Sequence, residues 1–179
     1  MNKFRIVSTL IFYLVVNISF SQNDATMIQN SVKNLSFMIG DWEGKGWTAT
    51  REGKVFSDVK EKAEYKLDSS ILIVEGLGTK TDAISKEVKV VHNAFGVIFF
   101  NSTDNSLNIR AYKEGGGVAT SKIEFIDEKV IQWSMDIPNG SKVKFTVDFN
   151  TDGKWIEIGE FSRDGLNWVE FLGMELTKK

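Results

Sequence analysis

The sequence predicts an all-β protein, a single closed antiparallel up-and-down barrel of about ten strands with a short N-terminal helix plugging its base. Three observations carry this. From Gly40 onward apolar residues recur in twos, the period of a half-buried strand. The segments are joined by short turns rich in Asp, Asn and Gly, at the ~8–12-residue spacing of a barrel or sandwich. The mature chain's one stretch of helical spacing lies before Gly40. A long meander with one apolar face must curl and close, because otherwise it leaves two free edges and an uncovered core.

Residues 1–21 read as a signal peptide. Lys3 and Arg5 form a basic start, Ile6 to Phe20 an apolar run, and Ser19 and Ser21 the small residues before a cut at Gln22. The run is shorter than the ~20 residues of a spanning helix, and no stop-transfer charges follow it. Residues 22–179 then form one domain. Asp24 to Phe37 is the helix, with Met27, Ile28, Val32 and Leu35 on one face and Asp24 at its start.

The strands follow in order. Trp42 and Trp47 sit in a glycine-interrupted strand with Gly44 and Gly46. Val55 to Leu67 alternates Val55, Val59, Ala63, Tyr65 and Leu67 against Asp58, Lys60, Lys62, Glu64 and Lys66; Phe56, Ser57 and Glu61 break the pattern. Ile71 to Leu77 and Val88 to Asn101 come next, separated by a polar loop from Thr81 to Glu87. Leu107 to Tyr112 alternates cleanly, and Gly115 to Gly117 loosens the chain before Val118 to Ile126. Val130 to Ile137 and Lys142 to Asn150 flank the hairpin signal Pro138-Asn139-Gly140. Lys154 to Ser162 and Trp168 to Thr177 close the chain across Asp164-Gly165.

Composition bounds the function. The net charge is −2, and loss of Lys3 and Arg5 with the leader would bring it to −4. A mildly acidic domain is a poor polyanion binder, which argues against nucleic acid. There is no Cys, so disulfides, thiolate metal sites, Cys nucleophiles and an N-terminal lipid anchor are excluded. The expected location is therefore soluble and exported, periplasmic or secreted, with stability drawn from the core alone. That core can be sizeable, since 13 Phe and 5 Trp bring large apolar areas.

Gly40-Asp41-Trp42, preceded by a short helix and followed by a meander, resembles the G-x-W opening of lipocalin-like (calycin) barrels. The Ser162-Arg163-Asp164-Gly165-Leu166-Asn167-Trp168 hairpin is similar to the closing hairpin of uncharacterised secreted bacterial members. The resemblance covers residues 24–179. It implies that the helix closes the barrel base and that Trp42 packs over it. The strand count departs from the eight of true lipocalins, toward fatty-acid-binding-type and nitrobindin-type barrels.

Few residues offer chemistry. His92 is the only histidine, so multi-His metal sites are excluded, and without a G-x-S-x-G elbow a hydrolase triad has no support. Haem ligation through His92 is chemically conceivable, but the nitrobindin-type branch places its ligand late in the chain, where this sequence has none. Glu75 shares a face with Ile71, Ile73 and Leu77. If it points inward, Arg110 is the partner to expect; the plain alternation instead puts Leu107, Ile109 and Ala111 inside and Arg110 and Tyr112 in water. Glu157, Glu160 and Glu170 read as exterior charges.

The expected function is binding of a small apolar or amphipathic molecule inside the barrel, with Trp47, Tyr65, Glu75, Phe99, Arg110, Tyr112 and Trp133 as candidate contacts and no cofactor. The alternatives are an enzyme using Glu75, Arg110 and Tyr112 inside the barrel, or an interaction module with a filled core.

Overall fold

The structure, a computed structural model, describes residues 24–138 and 140–179. The expected signal peptide lies outside the described residues, as does Asn139 of the expected turn. Ten strands follow the helix: β1 (Gly40–Thr50), β2 (Gly53–Lys66), β3 (Ile71–Thr81), β4 (Val88–Asn101), β5 (Ser106–Lys113), β6 (Gly117–Asp127), β7 (Val130–Asp136), β8 (Lys142–Asp148), β9 (Lys154–Ser162) and β10 (Trp168–Lys178). Each strand pairs antiparallel with the next, and β1 pairs with β10 from Trp42↔Lys178 to Thr48↔Leu172. The sheet therefore closes, and neither end strand is left as an edge.

The helix is shorter than expected. Residues 24–33 are helical, two turn residues follow, and Ser36–Met38 forms a separate 3-10 turn. The Leu35 N–H donates to Val32 O and the Met38 N–H to Leu35 O, so the chain tightens after Val32. This swings Leu35 and Met38 onto the same side as Val32, and all three are buried against the barrel base.

Trp42 is the next layer. Its Nε1 donates to Met38 O at 2.8 Å, tying the first strand to the plug. Its ring meets Phe149 at 5.5 Å and Trp155 at 5.8 Å, both edge to face. One end of the barrel is thus packed solid. Other boundaries moved as well: β3 runs on to Thr81 because its ladder with β4 continues to Thr81↔Val88. Leu67 leaves the strand for the turn, where Leu67, Asp68 and Ser69 all have positive φ and Leu67 is 73% exposed.

The pairing fixes which side chains face inward. Trp42 lies opposite Glu61, and Glu61 opposite Gly76. The inner row of β2 is therefore Val59, Glu61, Ala63 and Tyr65, and that of β3 is Leu72, Val74, Gly76 and Gly78. The charged ladder Glu43–Lys60, Lys45–Asp58 and Glu64–Lys66 runs along the outside. Among the described residues no helix is long and apolar enough to cross a membrane.

Candidate functional site

Above the Trp42 layer the barrel interior is not filled. A cavity of about 120 Å³ remains, with Met38 on its floor. Its shape follows from residue size. On β3 to β5 the inward positions are small, Gly76, Ala94, Gly96 and Ala111, whereas Trp133 on β7 and Trp155 on β9 face them from across the lumen. Trp133 stacks on Phe145 with ring centres 4.2 Å apart, and Phe171 meets Phe145 edge-on at 5.8 Å, so one wall is aromatic.

Three titratable side chains enter this space: Glu61 from β2, His92 from β4 and Glu157 from β9. Glu61 is 8% exposed, and its carboxyl lies across Gly76. A Cβ at Gly76 would come 2.6 Å from Glu61 Oε1, so the glycine provides the recess that the carboxyl occupies. Burial pushes the Glu61 carboxyl well above its ordinary range, and the nearby Glu157 carboxyl adds to this. Glu157 keeps some accessible surface, but that surface belongs to the lumen wall. Burial pushes it up to about 7, opposed by a long 3.4 Å hydrogen bond from Trp155 Nε1.

The His92 imidazole is held below its ordinary value by burial and then by Lys113, so at neutral pH it is uncharged. Both carboxyls are shifted toward their protonated forms by burial. No lysine or arginine lines the cavity. Among the described residues nothing donates a hydrogen bond to the Glu61 carboxyl, and no group of three ligands suited to a metal occurs.

The candidate contacts read from the sequence divide. Trp133 lines the cavity. Tyr65 faces inward lower down, packed on the core, with its hydroxyl 3.4 Å from Lys33 O. Trp47 is on the outer face, against Gly173 and under Lys54 Nζ, which sits 3.3 Å from the ring centre. Glu75 and Phe99 share the outer face of β3 and β4. Arg110 and Tyr112 are outside on β5, where the guanidinium lies 5.7 Å from the tyrosine ring. The in-barrel polar site of Glu75, Arg110 and Tyr112 is therefore not formed; plain alternation of β5 governs.

Glu157 corrects the sequence reading in the other direction. It was expected outside with Glu160 and Glu170, yet only those two are; Glu160 pairs with Lys144 at 2.8 Å. In Trp155-Ile156-Glu157-Ile158-Gly159 both faces carry apolar residues, so alternation alone gives no sidedness. Glu61 did leave a signal, since it interrupts the inward row of β2.

The wall also parts at one place. The β6–β7 ladder ends at Ile123↔Trp133. Beyond it the Ser121 hydroxyl replaces the backbone pairing, accepting from the Ser134 N–H at 3.2 Å and donating to Ser134 O at 2.5 Å. A polar cleft lies there between residues 118–122 and 134–136, and Trp133 borders both the cleft and the lumen.

No protein-family profile matches this sequence, and no curated protein matches it. Solved structures do resemble the barrel. The crystal structure of Rv2717c from M. tuberculosis superposes with a TM-score of 0.55 at 10% identity, covering 83% of this chain and 97% of that one. The S-type phycobiliprotein lyase CPES from Guillardia theta gives 0.53 at 9% identity, covering 87% and 97%. The likeness is one of fold.

Proposed function

We propose that this is an exported barrel that binds a small apolar or amphipathic molecule in its lumen. The observation that carries the reading is the unfilled space above the Trp42 layer, walled on one side by Trp133 and Trp155. A side-chain-filled barrel would have no such space. At about 120 Å³ it is well below the ~300–1,000 Å³ of pockets for drug-sized ligands, and close to that of an engineered cavity that takes benzene. The bound part is therefore compact, about one ring in size, which weighs against a haem on His92. The parted wall beside Trp133 is the route by which it would enter. One barrel of similar fold is a phycobiliprotein lyase, and a barrel with a ligand space is consistent with use of the fold on a small molecule.

The test is titration of the full chain with toluene, indole and hexanoate, followed by tryptophan fluorescence and calorimetry. Saturable one-to-one binding that Trp133→Ala weakens at least tenfold, with unchanged circular dichroism, is expected. No saturable binding by any of the three removes the reading. Export is tested separately: the mature protein should be recovered outside the cytoplasm with Gln22 at its N-terminus.

A further inference from the structure

The lumen contains two carboxyl groups and nothing of opposite charge. A position inside a barrel is ordinarily apolar, because a buried carboxylate without a partner is costly. Here two such positions, on β2 and β9, are acidic and face one cavity. The lysines that approach these strands lie outside: Lys60 pairs with Glu43 and Lys144 with Glu160. Glu61 receives no hydrogen bond from any described residue, and Glu157 receives only the long one from Trp155. The recess at Gly76 holds the Glu61 carboxyl at the cavity wall.

We infer that the molecule bound in this lumen is a compact cation: an amine or amidine on a small apolar body, whose N–H groups are received by Glu61 and Glu157 while the body lies against Trp133. This inference rests on the lumen being the binding site, as proposed above, and goes further by naming the ligand's chemistry. An ionised carboxyl is an acceptor only, and two of them lining one cavity, three strands apart around the ring, match a group with several N–H donors. The aromatic face of Trp133 favours the same positive charge. A carboxylate ligand would be repelled by each lumen carboxyl that is ionised. A purely apolar ligand would leave both carboxyls unpaired.

The pairing predicts a proton exchange. Burial raises both lumen carboxyls, Glu157 to about 7, so a cation bound near neutrality displaces protons from them. The elements facing the pair add one further titratable group, His92 on β4, with Lys113 beyond it; β3 presents Gly76, β7 Trp133 and β8 Val147. Burial and Lys113 both favour the neutral form of His92. Ionisation of Glu157 alone, with its midpoint at about 7, makes cation binding about tenfold tighter at pH 8 than at pH 6.

The experiment compares benzamidine, benzyl alcohol and toluene on the full chain by calorimetry at pH 6 and pH 8. Benzamidine should bind at least tenfold tighter than the two neutral probes at pH 8, release protons on binding, and weaken about tenfold at pH 6. Glu61→Gln and Glu157→Gln should each reduce benzamidine binding at least tenfold and leave toluene within threefold. Glu160→Gln, on the outer wall, should change neither. If toluene and benzyl alcohol bind as tightly as benzamidine, or if the two lumen variants bind benzamidine normally, the cation inference falls and the lumen reading stands. If none of the three binds, both fall. Melting curves of each variant establish that a loss is not unfolding; the Gln variants are isosteric and remove a buried ionisable group.

Discussion

Glu157 sets how the protein's stability should change with pH. Its folded value of about 7 lies above the ordinary 4.5, so between those values the folded state keeps a proton that the unfolded state has lost. Stability due to this group is therefore highest below about 4.5, falls as pH rises to about 7, and is flat beyond. That difference corresponds to about 3 kcal/mol. Glu157→Gln should accordingly melt higher than the parent protein at pH 8 and match it near pH 4.5, in thermal scans across that range. Trp42 acts in the opposite sense, as a pure stabiliser. Trp42→Ala should cost about 3–5 kcal/mol in urea unfolding through lost burial and a cavity. Gly76→Ala places its new carbon against the far end of a flexible side chain, so it should cost under about 1 kcal/mol while displacing the Glu61 carboxyl. The signature would be weakened lumen binding with a nearly normal melting curve.

At the level of strands and turns, the closing hairpin shows how much local chemistry the sequence exposes. Asp164 Oδ1 accepts from the Leu166 and Asn167 N–H groups, both at 2.8 Å, and Oδ2 from Asn167 Nδ2 at 2.7 Å. The Ser162 hydroxyl donates to Asp164 at 3.0 Å and accepts from the Gly165 N–H at 2.9 Å. These bonds, led by those from Asn167, hold the Asp164 carboxyl far below its ordinary value. Its stabilising contribution is present above about pH 4 and is lost as pH falls below that. Asp164→Ala should lower the melting temperature at pH 7, with the difference shrinking in acid. The turn was legible because serine, aspartate and glycine at those spacings have few other uses. The strands were legible because alternation of Leu107, Ile109 and Ala111 against Arg110 and Tyr112 admits one sidedness. β3 and β9 were not, because Ile71, Ile73 and Leu77, or Ile156 and Ile158, make the outer face apolar too. Pairing across strands, which a single sequence does not show, decided those two.

For the molecule as a whole, the barrel was readable before its contents were. Repeated alternation and short turns specify closure, and Leu35, Met38 and Trp42 specify a solid base. What the interior holds depends on three-dimensional neighbours. Glu61 registered in the sequence only as a break in a pattern, and such breaks are where functional groups tend to sit. Glu157 gave no signal, because the Glu61 carboxyl beside which it lies is about a hundred residues away in the chain.

The seam bridged by Ser121 bears on how the closed wall fluctuates. A continuous ring of backbone hydrogen bonds has no weakest point, but one in which a single hydroxyl stands in for several ladder bonds does. Amide protons along residues 117–122 and 134–136 should exchange with deuterium sooner than those of β1, β2 and β3, and Ser121→Ala should accelerate them further while leaving the base protected. The seam would then serve as a breathing slit: the barrel could admit a guest by local parting, without disturbing the tryptophan-packed floor that keeps it folded.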